Sequence, residues 1–301
     1  MQIAITKFQD YITVQKGFSP RTVDAYVSDL NKFSDYLAIR ELPSLIQEVE
    51  EEHIVSYLAF LSHPDDDKKP NLATSRARKL ASIRSFFNFL RKRHYIDISP
   101  AIDIDIPKLP QKEPDYLTVS EYQHLLATIR EVASPFFKLR DLCIFSLFLS
   151  TGIRVSELVN LTLSDIDLEY KRIKIHRKGN KEQTIPLNDE VAELIREYLA
   201  NRPETQKYQL FISKKGNGVR ANTVYCLVKK YLKLANIEKN KQGPHILRHS
   251  CLSTLLANGV NPVIIQQLAG HRSFDTTRRY LHLNNSQIRD AVQTINLKGD
   301  L

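Results

Sequence analysis

The chain has 301 residues, a formal net charge of +9 and a pI near 9.3. This length exceeds that of a usual single domain and predicts two domains, one with a substantial core and one smaller. The basic balance favours a polyanionic partner without naming one. The N-terminus lacks the pattern of a signal peptide, and no apolar stretch is long enough to span a membrane, so no membrane partner is expected.

The three cysteines, Cys143, Cys226 and Cys251, lie far apart in apolar or amphipathic segments. Their spacing fits neither a metal site nor a disulfide framework, which is typical of a reducing cytosol. We therefore expect a cytoplasmic protein.

The first hundred or so residues are predicted to be helical throughout. Apolar residues recur at helical spacing over 4–15, and Ser19-Pro20 supplies a cap and an N-terminal proline for the next helix. A third helix should follow the acidic stretch 50–52, because acidic residues favour a helix N-terminus. A break at 63–70 then separates it from the most basic helix, 75–93.

Apolar and basic positions alternate around this basic helix. The apolar ones recur at helical spacing and should face the core: Leu80, Ile83, Phe87 and Leu90. The basic ones then face solvent or a nucleic acid: Arg76, Lys79 and Arg84. A charged helix face is more often simply solvated, so this helix alone does not identify a partner.

The second half begins after a proline-containing stretch. Three prolines within 106–115 cannot continue a helix and predict an extended linker. Thr118 and Glu121 form a capping box for the following helix. A strongly apolar helix over 142–149 should belong to the core and leads into a turn at Gly152.

One segment carries a clear β pattern. Polar and apolar residues alternate over 172–176, Gly179-Asn180 turns the chain, and 183–187 returns, which predicts a hairpin on an otherwise helical domain. Residues 208–213 form a possible short strand, but the sequence does not indicate its partner.

Six residues of the second half together supply the groups that metal-free phosphoryl transfer requires: Arg154, Lys178, His245, Arg248, His271 and Tyr280. Guanidiniums clamp the oxygens of a phosphodiester, imidazoles hydrogen-bond or shuttle protons, an ammonium protonates a leaving alkoxide, and a phenol attacks phosphorus. No acidic cluster suited to Mg²⁺ accompanies them. No metal and no other cofactor is therefore expected.

Each of these residues also has an ordinary interpretation. Arg154 can form a surface pair with Glu157, three residues later on the same helix face. Lys178 can be an ordinary turn residue beside Gly-Asn. His245 and His249 have the spacing of a helical zinc site, although no third ligand of suitable type lies nearby.

Four segments carry a family resemblance: TGIRVSEL at 151–158, HILRHS at 245–250, LAGH at 268–271 and TRRY at 277–280. Their order and spacing resemble the signature of the tyrosine recombinase (phage integrase) family, over almost the whole chain, and the layout most resembles compact Xer-type recombinases. The resemblance implies a mainly α fold with a small β-hairpin or sheet. An N-terminal helical, SAM-like DNA-binding domain is expected over 1–106, a linker over 107–117, and a catalytic domain with a swapping C-terminal tail over 118–301.

The resemblance also implies roles around the scissile phosphate. Arg154 and Arg248 would clamp it and His271 would hydrogen-bond to it, while Glu157 would hold Arg154 in a productive rotamer. Tyr280 would be the nucleophile.

Two proton-transfer roles complete this implied site. His245 would accept the proton of the tyrosine. Lys178 would protonate the departing 5′ oxygen, with Lys181 as the alternative if the turn is shifted.

The implied reaction gives a 3′-phosphotyrosyl enzyme and a free 5′-hydroxyl, and strands are then exchanged through a Holliday junction. The implied partners are double-stranded DNA with specific sites, three further protomers in a homo- or hetero-tetramer, and possible accessory proteins. Arg76, Lys79 and Arg84 are expected to contact DNA phosphates. The amphipathic segment 285–295 should dock on a neighbouring protomer, with folding back onto its own domain as the alternative.

Several functions remain open at this point. Tyr280-Leu281-His282 and Ala269 depart from the usual Xer pattern, so a mobile-element integrase and a host resolvase of chromosome or plasmid dimers stay as alternatives. A type IB topoisomerase shares the same chemistry. A catalytically silent DNA-binding accessory protein is the alternative from a different class.

Overall fold

The structure, a computed structural model, describes residues 1–64, 69–105, 115–177 and 181–270. The chain forms two compact units, Met1–Gln111 and Lys112–Leu301, each with its own apolar core. The predicted mainly helical class with a small sheet is confirmed. The domain limits expected at 106 and 118 stay a prediction, because most of the stretch between them lies outside the described residues. No described helix combines the length and apolarity that a bilayer crossing requires.

The described part of the first unit is helical. Its helices are α1 (Gln2–Asp10), which continues as a π-helical turn (Tyr11–Gln15), α2 (Pro20–Ile39), α3 (Glu51–Ser62) and α4 (Ala73–Lys92). As predicted, proline occupies the first position of α2. The third helix was expected to follow the acidic stretch 50–52 and starts within it, at Glu51. The four apolar positions predicted for α4 are all buried.

Lys79 of α4 is buried, so the prediction that it faces solvent or a nucleic acid is wrong. Its ammonium lies 3.4 Å from Oδ1 of Asp29, a buried residue of α2. Arg78 and Ser82 also donate hydrogen bonds to the Asp29 carboxylate, at 2.8 and 3.0 Å. A buried carboxylate is costly unless cations and hydrogen-bond donors surround it, and this requirement turns Lys79 inward.

We expect Asp29→Ala to lower the free energy of unfolding of the first unit by about 3 to 5 kcal/mol, because it leaves the buried Lys79 ammonium without its carboxylate. Urea unfolding of the full chain, followed by circular dichroism, measures the loss. Asp24→Ala is the matched control, since Asp24 is an exposed carboxylate on the same helix and its loss should cost less than about 0.5 kcal/mol. Equal losses for the two variants would contradict the assigned role of Asp29.

The described part of the second unit combines helices with a small sheet. Its described elements are α5 (Val119–Val132), α6 (Pro135–Thr151), α7 (Val155–Asn160), a 3₁₀ turn (Leu163–Asp165), β1 (Ile166–Asp167), β2 (Arg172–Arg177), β3 (Lys181–Pro186), α8 (Asp189–Ala200), α9 (Ala221–Leu234), α10 (Pro244–Ala257) and α11 (Pro262–Ala269). The capping box of α5 is formed: Thr118 Oγ1 accepts from the Glu121 N–H at 3.3 Å, and Glu121 accepts from the Thr118 N–H at 2.8 Å. Most of the apolar segment predicted as core is buried in α6, and only Ser146 and Leu149 of it are half-buried.

The predicted hairpin is confirmed as β2 and β3, which pair antiparallel from Arg172 with Pro186 to Arg177 with Lys181. A short β1 adds to the other edge of β2 and completes a three-stranded antiparallel sheet in the described residues. Ile173 and Ile175 of β2 point into the core, as the alternating pattern requires.

The segment 208–213 forms backbone hydrogen bonds with two other parts of the chain. Leu210 donates its N–H to Leu161 O at 2.8 Å, and on the other side Val219 donates to Phe211 O at 3.0 Å. These pairs form isolated bridges, and the described structure assigns no regular strand here. The partner that the sequence did not indicate is therefore the chain immediately after α7, together with the chain that precedes α9.

Candidate active site

Three arginines from separate parts of the second unit converge on the C-terminus of α11. Arg154 Nη2 donates to Gly270 O at 3.0 Å, and Arg248 Nη2 donates to Ala269 O at 2.7 Å. Arg177 donates to Ala269 O at 2.9 Å and to Leu268 O at 2.6 Å. The last carbonyls of a helix lack intrahelical donors and carry partial negative charge, so cationic donors stabilise this end.

One carboxylate organises two of these guanidiniums. Glu157 Oε1 lies 2.9 Å from Arg154 Nη1 and 3.3 Å from Arg177 Nη1, and Glu157 Oε2 accepts from the Arg154 N–H at 2.9 Å. The carboxylate is buried, so its attraction to both guanidiniums is screened less than at a surface. Arg154 and Arg177 thus share one carboxylate, and with Arg248 nearby on Ala269 O the described side chains of this cluster carry more positive than negative charge, which suits an anion.

Two glycines shape the backbone around the cluster. Gly152 ends α6 and Gly270 ends α11, both in the left-handed region with φ near 60°. Side chains other than glycine adopt this conformation at a cost. A Cβ on Gly270 would also collide with the guanidinium of Arg177. Arg248 donates a further hydrogen bond to the carbonyl of Gly152, so both glycine turns lie against the arginine cluster.

Two predicted site residues lie on the first turns of α10 and differ in exposure. Arg248 is buried, whereas His245 is exposed. The imidazole of His245 meets the ring of Tyr225 edge-on, with the ring centroids 6.3 Å apart. His245 is therefore exposed at the surface, and the ring of Tyr225 packs beside its imidazole.

The remaining predicted residues of this site, Lys178, His271 and Tyr280, lie outside the described residues, as does the segment 285–295. In sequence, Lys178 directly follows Arg177 and His271 directly follows Gly270. The alternative lysine, Lys181, is exposed at the first position of β3. Within the described residues, no group of three or more His, Cys, Asp or Glu side chains is arranged to hold a metal ion.

Sequence reasoning missed Arg177 as a member of the cluster. A signal was present, because the period of two in β2 places Arg177 on the same face as the core residues Ile173 and Ile175. An arginine on an inward face needs buried partners. Burial lowers the pKa of Arg177 and the neighbouring Arg154 adds to this, while Glu157 acts in the opposite direction.

The basic residues predicted for DNA contact in the first unit form hydrogen bonds or ion pairs within the protein. Arg76 is half-buried and donates to Asn71 O at 2.7 Å. Arg84 is half-buried and donates to Ala101 O at 3.0 Å and to the carbonyl of Ile104. Lys79 is buried, as described above. The exposed cations on and just after α4 are other residues: Arg78, Arg91, Lys92 and Arg93.

Comparison with known families supplies the identity that this geometry suggests. The profile of the family described as "Phage integrase family" matches residues 115–287, and that described as "Phage integrase, N-terminal SAM-like domain" matches residues 5–94. The chain belongs to the phage integrase family of tyrosine recombinases. The predicted family, enzyme class and two-part architecture of this recombinase are thereby confirmed.

Similar proteins cover nearly the whole recombinase chain. The tyrosine recombinase XerC of Caldanaerobacter subterraneus subsp. tengcongensis is 37% identical over 96% of this chain and 85% of its own length. The tyrosine recombinase XerD of Staphylococcus epidermidis is 33% identical over 96% of this chain and 97% of its own.

Solved structures agree with the fold of this recombinase. The XerH site-specific recombinase bound to a palindromic difH substrate superposes with a TM-score of 0.75 at 21% identity, over 96% of this chain and 84% of that one. The Tn1549 transposon integrase in complex with a circular intermediate DNA gives 0.76 at 18% identity, over 97% and 99%. At these identities the likeness supports the fold.

Proposed function

We propose that this recombinase cuts and rejoins double-stranded DNA at specific sites through a 3′-phosphotyrosyl intermediate and a Holliday junction. The observation that carries the proposal is the convergence of Arg154 and Arg248 on the end of α11, directly before His271 in the sequence. Two guanidiniums of this kind suit the paired nonbridging oxygens of a phosphodiester. The curated relatives, named as tyrosine recombinases, support the same conclusion.

In this proposal Arg154 and Arg248 neutralise the charge that develops on the phosphoryl oxygens. Arg154 is suited to a ligand because 34% of its side chain is exposed while Glu157 holds one edge of its guanidinium. Arg248 comes from α10, and the backbone carbonyls of Gly152 and Ala269 orient its guanidinium. Fixed donors of this kind stabilise a transition state without reorganisation at the moment of reaction.

The bond changes follow from the groups that the chain offers. Tyr280 O forms the bond to phosphorus while its proton passes to His245, and the P–O5′ bond breaks as the leaving oxygen takes a proton from Lys178. His271 hydrogen-bonds to the transferred phosphate. In the second step a 5′-hydroxyl from a partner duplex attacks the phosphotyrosine and gives its proton to Lys178, while the P–O bond to Tyr280 breaks and His245 returns the proton to the tyrosine oxygen. The phosphotyrosyl ester conserves the bond energy, so the scheme needs no nucleotide hydrolysis.

The proposed partners are double-stranded DNA and three further protomers. The excess of basic residues in the chain favours contact with DNA phosphates. In the first unit we assign this phosphate contact to the exposed cations of α4 together with Arg76 and Arg84. The segment 285–295 is proposed to dock on the neighbouring protomer. The 33–37% identity to XerC and XerD favours an Xer-type role, while the departures from the Xer pattern at 280–282 and Ala269 keep a mobile element as the second candidate.

A plasmid that carries two copies of the target site tests the proposal. We expect the full-length protein to convert the supercoiled substrate into recombinant circles whose junctions map to the site. Relaxation without recombinants would instead support a type IB topoisomerase. Binding without any covalent protein–DNA adduct would support a silent accessory protein. Mapping the cleavage sites in DNA around the gene and on the host chromosome separates the mobile-element role from the Xer-type role.

A further inference from the structure

The guanidinium of Arg177 uses both of its Nη atoms for acceptors within the protein. Its guanidinium bonds two consecutive carbonyls, Leu268 O and Ala269 O, and approaches the Glu157 carboxylate. Only 9% of its side chain is exposed, against 34% for Arg154. Arg154 is thus the more exposed of these two guanidiniums, while both Nη atoms of Arg177 are directed at acceptors of the protein itself.

The contacts of Arg177 coincide with those that hold Arg154. Both guanidiniums approach the same oxygen, Glu157 Oε1, at 3.3 and 2.9 Å. Arg154 makes its other contact at Gly270 O, the carbonyl next to the one that Arg177 binds. Arg177 thus borders both anchoring points of Arg154. Its planar fork spreads donors over two Nη atoms that reach a carboxylate and two carbonyls, whereas a lysine would have to reach all three acceptors from one nitrogen.

We propose that Arg177 is a positioning residue for DNA strand cleavage, which holds Glu157 and the end of α11 so that Arg154 meets the scissile phosphate. This inference rests on the function proposed above. It predicts that loss of the Arg177 fork weakens the neutralisation of phosphate charge more than it weakens DNA binding.

The test compares two scissile linkages in single-turnover cleavage by the full-length protein. On an ordinary phosphodiester, Arg177→Met should form the covalent adduct roughly 10- to 100-fold more slowly, as expected when a reacting group is misplaced. On a methylphosphonate, which lacks the anionic oxygen that Arg154 neutralises, the deficit relative to wild type should shrink to within about threefold. DNA affinity should change by less than about threefold in both cases.

Arg202 provides the matched control in the same unit. It also donates to three backbone carbonyls, Leu210 O at 3.1 Å, Gln209 O at 2.8 Å and Lys207 O at 3.0 Å, but it contacts none of the site residues described above. Arg202→Met should therefore lower the thermal stability and leave the ratio of the two cleavage rates at the wild-type value.

The outcomes separate this inference from the proposed function. Equal deficits of Arg177→Met on both linkages would overturn the positioning role, while an inactive wild-type protein on both would contradict the proposed function itself. If Arg177→Met does not fold, Arg177→Lys carries the same comparison, because it keeps the charge and loses only the fork. For that variant too, a deficit that is larger on the phosphodiester supports the proposal and an equal deficit overturns it.

Discussion

Tyr280→Phe is expected to abolish the covalent protein–DNA adduct while the variant still binds its target DNA. The change removes only the phenolic oxygen, so the loss isolates the nucleophile. Cleavage should fall by roughly 10⁴-fold or more, the scale seen when a catalytic nucleophile is deleted. Denaturing gels of end-labelled DNA, with a nicked substrate that traps the intermediate, measure the adduct directly.

Tyr208→Phe is the matched control for this experiment. The Tyr208 side chain is 79% exposed, and the hydrogen bond of this residue to Leu163 uses its backbone carbonyl, which the substitution leaves in place. The adduct should persist at the wild-type level. An adduct that survives in Tyr280→Phe would assign the nucleophile to another residue, and an adduct lost in both variants would point to damage unrelated to the phenol.

Arg248→Lys is expected to reduce the rate of strand cleavage by about 10³-fold, because lysine keeps the charge but not the two-pronged donor that a phosphoryl transition state requires. Part of this loss in rate comes from broken hydrogen bonds within the protein, since Arg248 also donates to the carbonyls of Gly152 and Ala269. Single-turnover cleavage at saturating enzyme separates the chemical step from DNA binding.

Arg140→Lys controls for the loss of a buried arginine. Arg140 and Arg248 are 5% and 6% exposed, and Arg140 likewise donates to a backbone carbonyl, that of Ile212 at 3.0 Å. It contacts Asp141 in place of the site residues. We expect Arg140→Lys to lower the melting temperature without slowing cleavage by more than about threefold. A similar deficit in both variants would show that Arg248 acts through stability alone.

Local patterns in the sequence were enough for most elements of the fold. The proline at the start of α2, the capping box of α5 and the alternation in β2 each depend on neighbours within a few residues, so the sequence contains all the information that these predictions need. Local patterns were not enough where the structure of a segment depends on a distant partner, as that of residues 208–213 depends on the chain around Leu161.

The candidate site was predictable in its chemistry and less so in its arrangement. Arg154 and Glu157 were expected to pair because they lie three positions apart at the start of a helix, and they do pair. Lys79 was misplaced because its partner, Asp29, lies on another helix. Arg177 was overlooked because its acceptors, Leu268 and Ala269, are more than ninety residues away in the chain.

The sequence by itself determined which reactive groups this recombinase possesses, the helices and the hairpin that carry them, and the family to which it belongs. Only the tertiary structure decided which charged side chains are buried and that Arg154, Arg177 and Arg248 meet at one helix end. The physical reason is that helix and strand patterns arise from short-range sterics and hydrogen bonding. The burial of a charge depends instead on partners that long-range packing brings to it.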